Sequence, residues 1–134
     1  MGAVKVESIT MKYEFGLAAG TTAIGTHKLG ILPAGAIITK AWIDVDTTFT
    51  SATDAATISL GYTGQAAAFD AATAISTGTT WDAAVPRVSD GAAAGAVGTY
   101  ISVGTSPVEV IAVVAVEVLT AGKGYLFIEY VVND

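Results

Sequence analysis

The sequence predicts an all-β protein, a β-sandwich of jelly-roll type with seven or eight strands and at most one short helix. Residues 108–119, VEVIAVVAVEVL, are mostly β-branched. Such side chains lose rotamer freedom in a helix but pack well on a pleated sheet. Several other segments alternate apolar and polar residues with a period of two, and turn signals separate them at short intervals. This combination is typical of a sandwich or jelly roll.

Residues 108–119 are too short for a membrane helix, which needs about 20 apolar residues. One strand face, from Val108 to Val118, is apolar throughout. The other face places Ile111, Val113 and Ala115 between two glutamates. We therefore expect one face in the core and the other partly covered by a neighbour.

The remaining elements follow from the same patterns, in chain order. Residues 1–10 predict a short N-terminal arm, and Leu-Pro-Ala-Gly-Ala at 32–36 and residues 50–56 predict a turn and a loop. Ala-rich residues from about 66 to 75 predict a short helix. Residues 89–98 predict an exposed Gly/Ala loop. Strands are predicted at 11–17, 21–32, 37–49, 57–62, near Trp81, at 99–103, 108–119 and 125–132.

The last two strands predict a long C-terminal hairpin. Residues 120–124 contain two glycines and join the two strand patterns. A connection of three to five residues with glycine is a common hairpin signal. In the second strand, Leu126 and Ile128 are expected on one face, and Tyr125 and Phe127 on the other.

Alternation in residues 37–49 places Trp42 on the polar side of its strand, with Lys40 and Asp44. An outward tryptophan indicates a contact with a loop, a sheet edge or another subunit. A slip of one residue in the register would instead place Trp42 in the core.

The composition indicates one domain, residues 1–134, that is part of an assembly. The chain has no cysteine, a net charge of −6 and only six basic residues, which do not cluster. Nucleic-acid binding is therefore not expected, and no membrane segment or signal peptide is predicted. Charged residues make up 13% of the chain, against an average of about 25%. Such a surface favours burial against a partner, although an acidic monomer also fits.

The sequence does not predict an enzyme, a cofactor or a small-molecule ligand. His27 is the single histidine, and it reads more simply as a surface or cross-strand residue than as a catalyst. No nucleophile elbow or phosphate loop is present. Asp44 and Asp46 are weak metal candidates, because residues i and i+2 share a strand face. Asp54, Asp82 or Asp90 would have to add oxygens, and a solvated strand end explains the pair more simply.

Two stretches resemble small structural proteins of tailed phages, the head decoration or head fibre proteins. They are LGILPAGAIITKAWIDVDTTFTSATDAATISLGYTG, at 29–64, and VAVEVLTAGKGYLFIEYVV, within 108–132. The shared features are a Leu-Pro-Ala-Gly turn before a strand, an Asp-Val-x-Thr-x-Phe-Thr run, an Ala-Thr-Ile-x-Leu-Gly strand and a Leu-Thr-Ala-Gly hairpin near the C-terminus. The resemblance implies a β-sandwich bound to a capsid surface, commonly as a trimer, and implies no catalytic residues.

These observations lead to a functional expectation. The chain is expected to be a virion protein, made in the host cytoplasm, that decorates or stabilises the capsid exterior as a homotrimer in contact with the major capsid protein. The subunit interface is expected at Ile111, Val113, Ala115 and Trp42. The alternative is a carbohydrate- or receptor-binding sandwich of a phage tail or cell surface, which would carry exposed aromatics on one face.

Overall fold

A computed structural model describes residues 7–83, 87–88 and 100–132. Among these residues the structure is all-β, without a helix, and so without a helix that could cross a membrane. The strands are β1 (Ser8–Gly16), β2 (Gly25–Leu32), β3 (Ala36–Ser51), β4 (Thr57–Tyr62), β5 (Gln65–Ala74), β6 (Arg87–Val88), β7 (Ile101–Ser102), β8 (Val108–Ala115) and β9 (Leu119–Val132).

The strands form two antiparallel sheets. The five-stranded sheet has the order β1-β9-β3-β6, and β7 also pairs with β3; the four-stranded sheet has the order β2-β8-β4-β5. The short strands β6 and β7 pair with different parts of β3 and occupy one position in the sheet. The result is eight strand positions, four in each sheet, in the strand order of a jelly roll. The predicted fold class is confirmed.

The core lies between the sheets and contains the inward residues of both. Alternation places Val110, Ala112 and Val114 of β8 there, and Leu126 and Ile128 of β9, as the sequence predicts. Other core residues are Tyr13, Phe15, Ile43, Val45, Ile58, Leu60 and Tyr62.

Trp81 is fully buried, but it lies in a turn, so the strand predicted near this residue is wrong. Its indole is 5.9 Å from the ring of Phe15 and 5.8 Å from that of Phe49, each in an edge arrangement. The Phe15 and Phe49 rings stack at 5.4 Å. Such pairs contribute beyond their buried area. The aromatic cluster, together with the 3.0 Å hydrogen bond from the Phe49 N–H to the Trp81 carbonyl, therefore fixes this connection against the core.

The helix predicted over residues 66–75 is wrong, because this segment is strand β5. It pairs antiparallel with β4, with register shifts on either side of Leu60. Alanine has a high helix propensity, but packing overrides propensity here, since Phe69 is fully buried in the core. The start of β5 also lies close over Gly61, whose missing side chain leaves room for the backbone of Gln65 and Ala66.

The predicted C-terminal hairpin is also wrong. Strands β8 and β9 belong to different sheets, and residues 116–118 connect them. Residues 120–124 lie inside β9, in the part of that strand that pairs with the C-terminal half of β3. A side chain at Gly122 would overlap the ring of Phe49, and one at Gly124 would contact the ring of Phe15. These glycines make room for the aromatic cluster instead of forming a turn.

One bulge changes the predicted faces of β3. The register shifts between Ile38 and Lys40, so that Thr39 is the extra residue. Regular alternation with Lys40 predicts Ile38 on the outer face and Ile37 on the inner one, but Ile38 is buried in the core and Ile37 is only half-buried. Residues after the bulge keep their predicted faces.

Some predictions fall outside the described residues. These are the first six residues of the predicted N-terminal arm and the loop at 89–98. From residue 8 onward the arm belongs to β1. The extent of the domain, residues 1–134, stays a prediction.

Candidate functional site

The outer face of the five-stranded sheet carries a row of three aromatic side chains, Trp42, Phe127 and Tyr125, which we call the aromatic row. Trp42 of β3 lies opposite Phe127 of β9. Their rings are stacked at 5.2 Å and 3° between planes. Tyr125 follows at 6.4 Å from Phe127, tilted by 48°. All three are half-buried. Trp42 therefore points outward, as its alternation with Lys40 and Asp44 predicts.

Lysine side chains cover the aromatic row. Lys40 Nζ lies 5.3 Å from the centroid of Trp42, and Lys12 Nζ lies 4.4 Å from that of Tyr125. Lys123 Nζ is 5.5 Å from the Tyr125 centroid. Cation–π contacts of this kind are weakly favourable at exposed sites. The ring faces are thus occupied within the chain, by lysines and by one another.

Carboxylates balance the lysines of this face. Lys40 Nζ is 3.9 Å from a carboxylate oxygen of Glu129, and Lys123 Nζ is 4.0 Å from one of Glu14. The pKa of Lys123 is raised above its ordinary value, chiefly by a hydrogen bond with the Tyr125 side chain and secondly by a charge interaction with the same side chain. Glu129 also accepts a hydrogen bond of 2.8 Å from the Thr39 hydroxyl at the bulge. The charges are mixed in sign, so this face has no strong potential of one sign.

The four residues of the predicted subunit interface do not lie together. Trp42 is on the outer face of the five-stranded sheet, whereas Ile111, Val113 and Ala115 face outward from the four-stranded sheet. Ile111 is only 6% exposed within the single chain, and its strand neighbour Gly61 lies under the start of β5. Val113 and Ala115 are half-buried. The interface at these residues stays a prediction.

The weak metal candidates are close in sequence but differ in setting. Asp44 lies opposite Tyr125, while Asp46 is exposed at a bulge in β3. Within the described ranges, no group of three or more His, Cys, Asp or Glu side chains is arranged to hold a metal ion. Asp54 and Asp82 lie in connections, and Asp90 is outside the described residues. His27 Nε2 donates a 2.6 Å hydrogen bond to the Ala23 carbonyl.

Glu117 is a structural residue that the sequence reasoning missed. Its carboxylate accepts hydrogen bonds from the Ser51 hydroxyl (2.6 Å), the Thr53 hydroxyl (2.7 Å) and the backbone N–H groups of Thr53 (3.1 Å) and Ala55 (3.0 Å). The Ser51 bond, followed by the two Thr53 bonds, lowers the pKa of Glu117 to about 2. The β3–β4 connection is thereby tied to the β8–β9 connection. A signal was present in the sequence, since Glu117 is a lone charge between two valines.

Val116, next to this carboxylate, has an unusual backbone. Its φ is 73°, a region that β-branched residues rarely adopt. The Glu117 N–H donates to the Ala115 carbonyl at 2.9 Å, which closes a γ-turn around Val116. Val116 and Val118 were expected on the core face of a continuous strand, but β8 ends at Ala115 and the turn follows it. Both side chains are exposed.

Comparison with known proteins gives a consistent result at the level of fold. No protein-family model matches the chain, and no curated protein matches it. Several solved structures contain chains that are similar to this one. A chain of the cyanophage Pam1 capsid asymmetric unit is similar with a TM-score of 0.66 and 18% identity, over 99% of this chain and 90% of that one.

Two further capsid structures contain similar chains. For the capsid of Ralstonia phage GP4, the TM-score is 0.64 at 20% identity, over 96% of this chain and 85% of the other. For the acidic stable capsid structure of Helicobacter pylori bacteriophage KHP30, the TM-score is 0.52 at 23% identity, over 95% of this chain and 89% of the other. The chain therefore shares its fold, over nearly its whole length, with chains found in phage capsid structures.

Proposed function

We propose that this chain is a phage virion structural protein that decorates or stabilises the capsid by protein–protein contact. The observation that carries the proposal is the likeness over nearly the full length to chains of three phage capsid structures. The head decoration resemblance of residues 29–64 and 108–132 points the same way. The partner we propose is the major capsid protein, and the location is the capsid exterior, after synthesis in the host cytoplasm.

We propose that the chain acts by binding to the capsid, and not by catalysis. A subunit that binds only the assembled shell stabilises it by mass action, in proportion to the logarithm of its concentration over its dissociation constant. At 100 times that constant, the stabilisation is about 2.7 kcal/mol for each site. A homotrimer would multiply the contacts to neighbouring capsid subunits.

The second candidate is a carbohydrate-binding module of a phage tail or cell surface. The aromatic row is the observation that favours it, since exposed aromatics on one sheet face were expected of such a module, although these three are only half-exposed. Its ring faces are covered, however: Trp42 stacks on Phe127, and Lys12 and Lys123 lie over Tyr125. A sugar ring that stacked there would have to displace these contacts. We therefore rank this function second.

Co-sedimentation separates the two candidates. The purified chain is added to capsids of the encoding phage that lack it, and the pelleted fraction is measured against concentration. We expect saturable binding with a fixed number of copies for each capsid, and no binding to a glycan array. A chain that stays in the supernatant at micromolar concentration, but binds glycans in a manner lost in Trp42→Ala, would replace the first function by the second.

A further inference from the structure

The β3–β4 connection directs several hydrogen-bond donors at one carboxylate. Oε1 of Glu117 accepts from the Ser51 hydroxyl at 2.6 Å, and from the backbone N–H groups of Thr53 and Ala55 at 3.1 and 3.0 Å. Oε2 of Glu117 accepts from the Thr53 hydroxyl at 2.7 Å. All four donors are uncharged. Hydrogen bonds to an ionised acceptor are roughly twice as strong as those between neutral groups.

The donors fit the shape of a carboxylate. Three of them converge on one oxygen and the fourth meets the other oxygen, so both ends of a planar group are bound. A spherical anion such as chloride has no second oxygen for the fourth donor. The set of donors therefore favours a carboxylate over a simple halide.

Contacts that do not involve Glu117 hold the donors in place. Ser51 is 7% exposed, and its Oγ also accepts a hydrogen bond from the Ala56 N–H at 3.2 Å. Asp54 Oδ1 accepts from the Ser51 N–H at 3.2 Å, and the Asp54 N–H donates to the Ser51 carbonyl at 3.2 Å. Asp54 has a φ of 56°, and left-handed residues of this kind occur in the backbone nests that bind anions. The connection thus orders its own donors.

We propose that residues 51–55 form a carboxylate-binding site in their own right, and that Glu117 is its tethered ligand. When the side chain of Glu117 is removed, the site takes a free carboxylate in its place. The inference goes beyond the proposed function and does not depend on it, because it concerns what this connection recognises and not where the chain is located.

A free carboxylate binds this site more weakly than Glu117 does. The tether gives Glu117 an effective concentration in the millimolar range or above, which a free ligand has to match. The Asp54 carboxylate lies beside the donors, since it accepts from the Ser51 N–H, and it repels a second anion. Formate is the smallest probe of this class, and its concentration must exceed the effective concentration of the tether.

The test removes the tethered ligand and supplies a free one. Sodium formate is titrated into Glu117→Ala up to about 0.5 M, well above the effective concentration of a short tether, with sodium chloride at equal ionic strength as the reference. The backbone amide proton signals of Thr53 and Ala55 are followed by NMR. We expect both signals to move saturably towards their wild-type positions with formate and not with chloride. The wild-type signals should not respond, because the site is filled.

A pair of matched variants tests the donors themselves. In the Glu117→Ala background, Thr53→Val removes the hydroxyl donor and keeps the backbone N–H. Loss of one hydrogen bond to a charged group is expected to raise the dissociation constant for formate about tenfold. Thr50→Val is the control, because the Thr50 hydroxyl pairs with that of Thr120 at 2.8 Å and does not contact Glu117. It should leave the dissociation constant unchanged.

Folding of each variant is checked by circular dichroism. If Glu117→Ala is unfolded, recovery of the β spectrum with formate and not with chloride supports the inference, and failure to recover overturns it. In a folded variant, the inference is overturned if the Thr53 and Ala55 signals do not respond to formate, or respond equally to chloride. Equal formate affinity in the Thr53→Val and Thr50→Val variants overturns it as well.

Discussion

The Tyr13 side chain is buried in the core, and its hydroxyl has no hydrogen-bond partner among the described residues. Burial, and to a lesser degree the nearby Tyr130, raises the pKa of Tyr13 to about 12. A buried hydroxyl without a partner costs about 1–3 kcal/mol relative to a solvated one. The residue is therefore retained for the packing of its ring, which fits against Gly30, and not for its oxygen.

Tyr13→Phe is expected to keep or raise the free energy of unfolding, by up to about 1 kcal/mol, because it removes only the unpaired oxygen. The pH dependence gives a second check. The folded pKa of about 12 lies above the ordinary value of 10.0. The neutral form thus favours folding, and this contribution is lost as the pH rises from about 10 towards 12. The variant should lack that loss.

Chemical denaturation at pH 7 and pH 11 measures both effects for Tyr13→Phe. The control is Tyr100→Phe, since Tyr100 is exposed. If Tyr13→Phe is clearly less stable than wild type at pH 7 and Tyr100→Phe is not, the Tyr13 hydroxyl makes a hydrogen bond, for example to an ordered water, and the prediction is contradicted.

Single residues also show where the sequence was informative. The outward position of Trp42 could be predicted, because alternation in β3 is regular around it. The burial of Ile38 could not, because the bulge at Thr39 shifts the face of every residue before it. A bulge leaves no pattern in the sequence that distinguishes it from regular alternation. The lone charge of Glu117 between two valines marked the residue, but its role could not be predicted, since its partners are more than 60 residues away in the sequence.

At the scale of elements, local preference and tertiary packing disagree in two places. Strand β5 has a helix-forming composition but pairs with β4 and buries Phe69. Residues 120–124 have the composition of a hairpin turn but continue β9. For residues 120–124 the deciding contacts are made with β3, which is distant in the chain; for β5 they are the pairing with the preceding strand β4 and the burial of Phe69 in the core. The strands with strong β-branched alternation, β3, β4 and β8, were predicted to exist because their local preference and their burial agree, but the bulge in β3 and the early end of β8 were not predicted.

The connection between β3 and β4 depends on Glu117, which gives a prediction about acid. The folded pKa of Glu117 is about 2, below the ordinary value of 4.5. The ionised form thus favours folding, and its contribution is complete above pH 4.5 and is lost as the pH falls towards 2. Glu117→Gln should lower the Tm at pH 7, and the difference from wild type should shrink between pH 4.5 and 2.

Thermal unfolding at pH 7, 4.5 and 2.5 tests this prediction. Glu109→Gln is the matched control, because Glu109 is an exposed glutamate of β8, the strand that precedes Glu117; it should leave the Tm nearly unchanged at each pH. A difference between Glu117→Gln and wild type that stays constant down to pH 2.5 would contradict the role of the ionised carboxylate.

At the scale of the whole molecule, the surface is divided by charge. The outer face of the five-stranded sheet carries mixed charges around the aromatic row, as in a face that meets water. Four aliphatic side chains are exposed in the β1–β2 and β8–β9 connections: Leu17, Ile24, Val116 and Val118. The low overall charge of the sequence indicated a covered surface, but not its position, because that depends on which connections the jelly-roll topology brings to one end.

The central claim, a structural role in the virion, is tested most directly by imaging particles that carry the chain. Cryo-electron microscopy of capsids with and without bound protein should show extra density outside the shell. We predict that this density fits the sandwich in groups of three, with the aromatic rows facing solvent. Particles whose density is the same with and without the protein, or a sandwich located inside the shell, would contradict this account.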